Sequence, residues 1–150
     1  MVPLPAPDKG KTILLAEDEQ VVRTLVLTVL QQSGYHVITG VDGKDALEKS
    51  RLFKGTIDLL LSDVNMPHMT GIELATQMQI ERPLIPVLLM SGMAARLSPL
   101  NEGWQVLLKP FMCDMLRRTI QHLLQDGNHC AARLPNNEPE FSSAFGLEMS

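Results

Sequence analysis

Five polar side chains stand at or just beyond the ends of apolar segments in this sequence. They are three acids, a hydroxyl and an amine: Glu17, Asp18, Asp63, Ser91 and Lys109. Acids that crowd together repel one another, and either protonation or a bound cation relieves that repulsion. A set of oxygen ligands suits Mg²⁺, which takes one or two protein carboxylates and leaves positions for phosphate oxygens. The backbone carbonyl of Asn65, two residues beyond Asp63, is a further candidate ligand.

The same side chains suit the transfer of a phosphoryl group to a carboxylate. A carboxylate beside Mg²⁺ can attack phosphorus and form an aspartyl-phosphate, while the metal neutralises charge on the transferring group. The Lys109 ammonium can bind a second phosphoryl oxygen, and the Ser91 hydroxyl can donate a hydrogen bond to a third. If these side chains converge, we predict that one of the three carboxylates accepts a phosphoryl group.

The side chains can converge only if the segments before them are strands of one sheet. Short apolar runs are typical of buried parallel strands, and they predict five strands: Thr12–Ala16, Tyr35–Thr39, Ile57–Ser62, Ile85–Met90 and Val106–Leu108. Apolar residues at the helical period predict helices between them: Val22 to Gly34, Ala46 to Phe53, Ile72–Glu81 and, last, Cys113–Gln125. A further helix, the fourth in chain order, must be short or irregular, because residues 92–108 also hold a strand and include Pro99 and Gly103.

Alternation of strands with helices predicts an α/β fold built from right-handed βαβ units. Its parallel sheet would carry helices on both faces. In sheets of this kind, ligands bind at the carboxyl ends of the strands. The candidate side chains stand at those ends, so we expect one edge of the sheet to hold them all.

Length and composition limit the classes of protein to which the chain can belong. A chain of 150 residues favours one domain, and we expect it over residues 11–126, between a disordered leader at 1–10 and a largely disordered tail at 127–150. The net charge of −4 argues against a nucleic-acid partner bound through phosphates. No apolar run reaches the roughly 18 residues of a membrane span, and the N-terminus lacks a signal-peptide pattern. We therefore expect a cytoplasmic protein without a membrane partner.

Five motifs, in order along the chain, resemble the receiver domain of bacterial response regulators in two-component systems. They are Glu17-Asp18, Asp63-Val64-Asn65-Met66-Pro67, Thr70-Gly71, Ser91-Gly92 and Lys109-Pro110-Phe111. The resemblance covers about Lys11 to Asp126 and implies a flavodoxin-like, doubly wound sheet of five parallel strands in the order 2-1-3-4-5. It also implies a cis peptide bond between Lys109 and Pro110.

The resemblance further implies a role for each matched residue. Asp63 would be phosphorylated, and Mg²⁺ would be bound by Asp18, Asp63 and the Asn65 carbonyl, with Glu17 acting partly through water. Ser91 would be the switch hydroxyl and Lys109 the phosphate-binding amine. The phosphoryl group would come from a partner histidine kinase or phosphotransfer protein, and the signal would leave through contact with an unknown downstream protein. We expect no enzymatic activity beyond autocatalysed phosphoryl transfer to, and hydrolysis from, Asp63.

Two alternative functions stay open. One is a degenerate receiver that acts as a constitutive binding scaffold, because Val106 stands where similar domains carry Tyr or Phe, and the nearest aromatic residue is Trp104. The other is an aspartyl-phosphate phosphatase resembling the haloacid dehalogenase family. That reading is disfavoured because Asn65 stands where those hydrolases need a second acid. Glu19, the third acid of the first loop, is assigned to capping of the first helix.

Overall fold

The computed structural model describes residues 10–92 and 103–126, which form five strands and four helices. The strands are β1 (Thr12–Ala16), β2 (His36–Gly40), β3 (Leu59–Asp63), β4 (Val87–Ser91) and β5 (Trp104–Leu108). The helices are α1 (Gln20–Gln32), α2 (Gly43–Leu52), α3 (Gly71–Glu81) and α4 (Cys113–Asp126). The expected leader, the tail and most of the expected short fourth helix lie outside the described residues.

The five strands form one parallel sheet in the order β2-β1-β3-β4-β5, which confirms the flavodoxin-like topology. β1, β3 and β4 are buried along their whole length. Strands covered on both faces need no alternation of polar and apolar residues, which explains the continuous apolar runs in the sequence. The order of the strands in this parallel sheet also places the carboxyl ends of β1, β3, β4 and β5 side by side.

Two apolar cores separate the sheet from its helices. On one face α2 and α3 pack on the sheet through residues such as Leu47, Leu74 and Met78. On the other face α1 and α4 pack through residues such as Leu30 and Ile120. Both faces of the sheet are therefore covered, as the sequence predicted. None of the helices in the described residues is long and apolar enough to cross a membrane.

The helices begin with different capping arrangements. The Asp42 carboxylate accepts a hydrogen bond of 2.8 Å from the Asp45 N–H and caps α2. Thr70 and Glu73 form a reciprocal capping box at α3. Glu19 occupies the N-cap position of α1, but its side chain makes no capping hydrogen bond, so the assigned role of that side chain is wrong. The backbone N–H of Glu19 instead donates to the Glu17 carboxylate.

Candidate phosphoacceptor site

Three carboxylates meet at the carboxyl edge of the sheet. Glu17 follows β1 directly and Asp63 is the last residue of β3, and each of Glu17, Asp18 and Asp63 offers an oxygen within 4.8 Å of the others. Glu17 is fully buried and Asp63 is 8% exposed, whereas Asp18 is exposed. The structure thus brings together the three acids that the sequence pattern singled out.

The Lys109 amine lies among these acids. Its Nζ is 2.9 Å from Oδ1 of Asp63 and 3.5 Å from Oε1 of Glu17. The residue follows β5, and its backbone N–H donates to the Ser91 carbonyl over 2.8 Å, which fixes the end of β5 against β4. The peptide bond between Lys109 and Pro110 is cis, as the resemblance implied. The amine therefore lies beside the predicted phosphoacceptor rather than in bulk solvent.

Main-chain contacts hold the loop that carries Glu17 and Asp18. The Glu17 N–H donates to the Gly40 carbonyl over 3.1 Å, and its Oε2 accepts a hydrogen bond of 3.0 Å from the Glu19 N–H. Nη1 of Arg23 donates to the Glu17 carbonyl over 2.8 Å. The loop is thus attached to β2 on one side and to α1 on the other.

Gly71 explains how the chain after β3 can turn sharply beside Asp63. A Cβ atom at position 71 would lie 2.2 Å from the Asp63 carbonyl oxygen and 3.0 Å from Oγ of Ser62. The Gly71 N–H donates to the Val64 carbonyl over 2.8 Å, and the Ser62 hydroxyl donates to the Asp63 carbonyl. The start of α3 therefore packs directly on the backbone of the candidate phosphoacceptor, which only glycine permits.

Burial and crowding alter the protonation equilibria of the site. Burial raises the pKa of Glu17, and the Asp63 and Asp18 carboxylates add to that rise. Burial also raises the pKa of Asp63, although the Lys109 ammonium opposes it. Burial favours the neutral amine of Lys109, but the hydrogen bond and charge of Asp63 and the charge of Glu17 outweigh it, so the pKa of Lys109 is raised.

The acid cluster has the properties of a site for a hard divalent cation. Oε1 of Glu17 is buried and accepts no hydrogen bond from the residues that the structure describes, although the Lys109 amine lies 3.5 Å away. A buried oxygen without a donor is costly unless a cation or water contacts it. The donor set consists only of carboxylate oxygens, which suits Mg²⁺. Glu17, Asp18 and Asp63 therefore fit the ion that the sequence pattern suggested.

Ser91 and Asn65, the remaining predicted site residues, lie on the same edge of the sheet. Ser91 is the last residue of β4 and is buried. Asn65 is exposed and stands two residues beyond β3. Their proposed roles, as switch hydroxyl and as carbonyl ligand, stay predictions.

The position three residues before Lys109 is occupied by a partly buried aliphatic side chain. Val106 lies in β5 and packs against the core between the sheet and the α2–α3 face. The nearby Trp104 is buried, and its indole N–H donates to the Gln79 side chain over 2.9 Å. Trp104 is thus a packing residue that links β5 to α3.

Comparisons with known proteins agree with this fold. The family model of the response regulator receiver domain matches residues 13–121. The response regulator receiver protein CpdR of Brucella abortus is 37% identical over 118 residues, which are 76% of this chain and 97% of CpdR. The sensor kinase CckA of the same organism is 36% identical over 118 residues, again 76% of this chain but only 12% of that kinase.

A solved structure extends the comparison to three dimensions. The response regulator TrrA of Thermotoga maritima, crystallised in complex with Mg²⁺–BeF, is 29% identical and superposes with a TM-score of 0.67. The match covers 75% of this chain and 98% of TrrA. The chain therefore belongs to the response regulator receiver domain family, the phosphoacceptor modules of two-component signalling, which interact with histidine kinases or phosphotransfer proteins.

Proposed function

We propose that this domain is a signalling switch that accepts a phosphoryl group on Asp63 from the phosphohistidine of a partner histidine kinase or phosphotransfer protein. An Asp63 carboxylate oxygen attacks phosphorus, the new bond is a P–O bond, and the P–N bond to the donor histidine breaks. The observation that carries the proposal is the contact of 2.9 Å between the Lys109 amine and Asp63, within a cluster of three acids.

Each residue of the cluster has a part in this reaction. Glu17, Asp18 and Asp63, together with the Asn65 carbonyl, would hold Mg²⁺, which when bound neutralises charge on the transferring group. Lys109 positions the Asp63 carboxylate before transfer and binds a phosphoryl oxygen afterwards. The Ser91 hydroxyl donates to another phosphoryl oxygen. The Mg²⁺–BeF complex of TrrA supports this assignment by likeness.

The reaction needs no separate catalyst. We propose that the domain catalyses both phosphoryl transfer to Asp63 and the later hydrolysis of its own aspartyl-phosphate. The added negative charge attracts the Lys109 amine and the Ser91 hydroxyl, and this changes the relative populations of two conformations of the domain. A downstream protein binds the conformation that phosphorylation favours. Lys109 follows β5 directly, and Trp104 at the start of that strand contacts α3. We therefore expect a movement of Lys109 to be transmitted along β5, past Val106, to α3.

Beryllofluoride with Mg²⁺ tests the proposal without a cognate kinase. We expect it to shift the amide NMR signals of residues in the β1–α1 loop and at the ends of β3, β4 and β5. Asp63→Asn should abolish these shifts. Asp114→Asn, which removes an exposed carboxylate from α4, should leave them unchanged. Equal spectra of the wild-type protein with and without beryllofluoride would favour the constitutive scaffold instead.

A further inference from the structure

Arg23 occupies a position where the local rules of helix structure disfavour a cation. It is the fourth residue of α1, near the helix N-terminus, where the backbone dipole favours negative charge. The first turn of α1 contains no acidic residue, and no side chain caps this end. A residue that breaks a local preference often has a compensating contact elsewhere.

The compensating contact of Arg23 lies in the acid-bearing loop. Nη1 of Arg23 donates to the Glu17 carbonyl over 2.8 Å, and the Arg23 N–H donates to the Glu19 carbonyl over 2.9 Å. The first contact depends on the guanidinium, whereas the second is the ordinary main-chain hydrogen bond of the first helical turn. Since the Glu17 N–H is bonded to Gly40, both main-chain polar groups of Glu17 are fixed from outside the loop.

We propose that Arg23 is a positioning residue of the acid cluster, holding the β1–α1 main chain so that Glu17 and Asp18 present their carboxylates to a shared divalent cation. This inference rests on the proposed function. The Arg23 guanidinium donates to the carbonyl of Glu17 and leaves the buried Oε1 of Glu17 available to the cation. Arg23 would therefore act through the backbone and not as a ligand of the cation.

The direction in which the affinity for a divalent cation changes when Arg23 is replaced distinguishes a positioning role from a purely electrostatic one. If Arg23 acted only as a nearby positive charge, it would repel a divalent cation, and its removal would tighten binding. If it positions the loop, its removal weakens binding although the site becomes more negative. We expect Arg23→Met to weaken Mn²⁺ binding about tenfold, on the scale seen when outer hydrogen-bond partners of metal ligands are removed.

The experiment is a titration of the unphosphorylated protein with Mn²⁺, followed by water-proton relaxation. Arg23→Lys keeps the charge and an N–H donor and should restore most of the affinity, whereas Arg23→Gln provides a second neutral variant that should also bind more weakly than the wild type. Arg117→Met is the matched control, since it removes an arginine from an exposed ion pair on α4. Thermal unfolding in EDTA should show that all variants are folded.

The outcomes distinguish this inference from the proposed function. Weaker binding by both neutral variants, with recovery in Arg23→Lys and no change in Arg117→Met, supports positioning. Equal or tighter binding by Arg23→Met or Arg23→Gln overturns the role of Arg23 and leaves the proposed function intact. Absence of Mn²⁺ binding by the wild-type protein overturns both.

Discussion

The Lys109 amine lies 2.9 Å from Oδ1 of Asp63 and 3.5 Å from Oε1 of Glu17, so one cation contacts two buried acids. With Asp18 the cluster contains three carboxylates against this single ammonium. When all are ionised, the described ion pairs leave two negative charges uncompensated. The protein without a divalent ion is thus electrostatically strained at the edge of the sheet where the phosphoryl group would arrive.

Replacement of Glu17 should reveal that strain. Because the pKa of Glu17 is raised, its contribution to stability is present below the ordinary pKa of 4.5 and is lost as pH rises through the raised value. Above that value the ionised side chain destabilises the fold. We expect Glu17→Gln to raise the melting temperature in EDTA at pH 7 by a few degrees, equivalent to about 1 kcal/mol.

The same variant should bind divalent ions more weakly, so Mg²⁺ should stabilise it less than it stabilises the wild-type protein. Differential scanning calorimetry in EDTA and in excess Mg²⁺ measures both effects. Glu48→Gln, which neutralises an exposed acid on α2, is the control for the removal of a charge. A melting temperature of Glu17→Gln below that of the wild type in EDTA would show that the acid cluster is not electrostatically strained.

Gly71 should tolerate no side chain. In Gly71→Ala, the new Cβ would approach the Asp63 carbonyl oxygen to 2.2 Å, so either α3 or the end of β3 must move. Overpacking of this kind costs about 1–3 kcal/mol, and displacement of Asp63 should also slow its phosphorylation. Urea unfolding and the rate of modification by acetyl phosphate measure the two effects.

A second glycine provides the comparison for Gly71. A Cβ atom at Gly92 meets no atom of the described residues within 4 Å, and Gly92 lacks a positive φ angle. We expect Gly92→Ala to unfold at nearly the same urea concentration as the wild type. Equal stability of both alanine variants would show that the start of α3 can move away from Asp63 at no cost.

Arg82 should stabilise the domain at a distance from the site. Its guanidinium donates to the carbonyl of Ser50, in the last turn of α2, and to those of Phe53 and Gly55, just beyond the helix, over 2.9–3.3 Å, and also to the Ser50 hydroxyl. Carbonyls at a helix end lack partners within the helix, so Arg82→Met should cost about 1–2 kcal/mol in urea unfolding. Phosphorylation should keep its wild-type rate.

Arg51→Met is the matched control for this prediction. The Arg51 guanidinium pairs with Glu81 on the surface, and exposed ion pairs contribute little. We expect a clearly smaller loss of stability than in Arg82→Met. If the two variants lost equal stability, the hydrogen bonds of Arg82 to the carbonyls at and after the end of α2 would have no special role.

Asp42 should make the fold sensitive to acid. The hydrogen bond from the Asp45 N–H and then the contact with His68 lower the pKa of Asp42. A lowered pKa stabilises the fold above the ordinary value of 3.8, and this contribution is lost as pH falls through the folded-state value. Asp42→Asn should therefore lose less stability than the wild type when the pH falls from about 5 to about 3, across the ordinary pKa of 3.8.

Loss of the cap itself is a separate effect. Asp42→Ala removes the acceptor for the Asp45 N–H and should cost about 1 kcal/mol at pH 7, whereas asparagine can still accept that hydrogen bond. Guanidinium unfolding at pH 7 measures the loss of the cap, and unfolding at about pH 5 and about pH 3 measures the acid dependence. Asp114→Asn is the exposed control. An unchanged acid dependence in Asp42→Asn would contradict this account.

The strand pattern was predictable because the central strands are buried on both faces, but their ends were not. The predicted strand Ile57–Ser62 begins at Leu59 in the structure. The Asp58 N–H still donates to the Thr12 carbonyl over 2.7 Å, but the Thr12 N–H donates to the Asp58 carboxylate over 2.8 Å, so a side chain takes the place of one main-chain acceptor. Likewise, the Tyr35 N–H donates to the Leu30 carbonyl at the end of α1, and β2 begins one residue later.

The convergence of the acids and Lys109 was predictable because parallel strands bring their carboxyl ends to one edge. The supporting contacts were not predictable in the same way. Gly71 was noted as part of a motif, but its close approach to Asp63 depends on how α3 packs. Arg23 was missed, although a cation near the start of a helix, where the backbone dipole favours negative charge, was a usable signal in the sequence.

The phosphoryl group on Asp63 is the central claim, and intact mass spectrometry after incubation with acetyl phosphate tests it most directly. In the presence of Mg²⁺ the wild-type protein should gain the mass of one phosphoryl group, and Asp114→Asn should do the same. The gain should be absent in EDTA and in Asp63→Asn. Modification of Asp63→Asn to the wild-type extent, or an unmodified wild-type protein with Mg²⁺, would contradict the account.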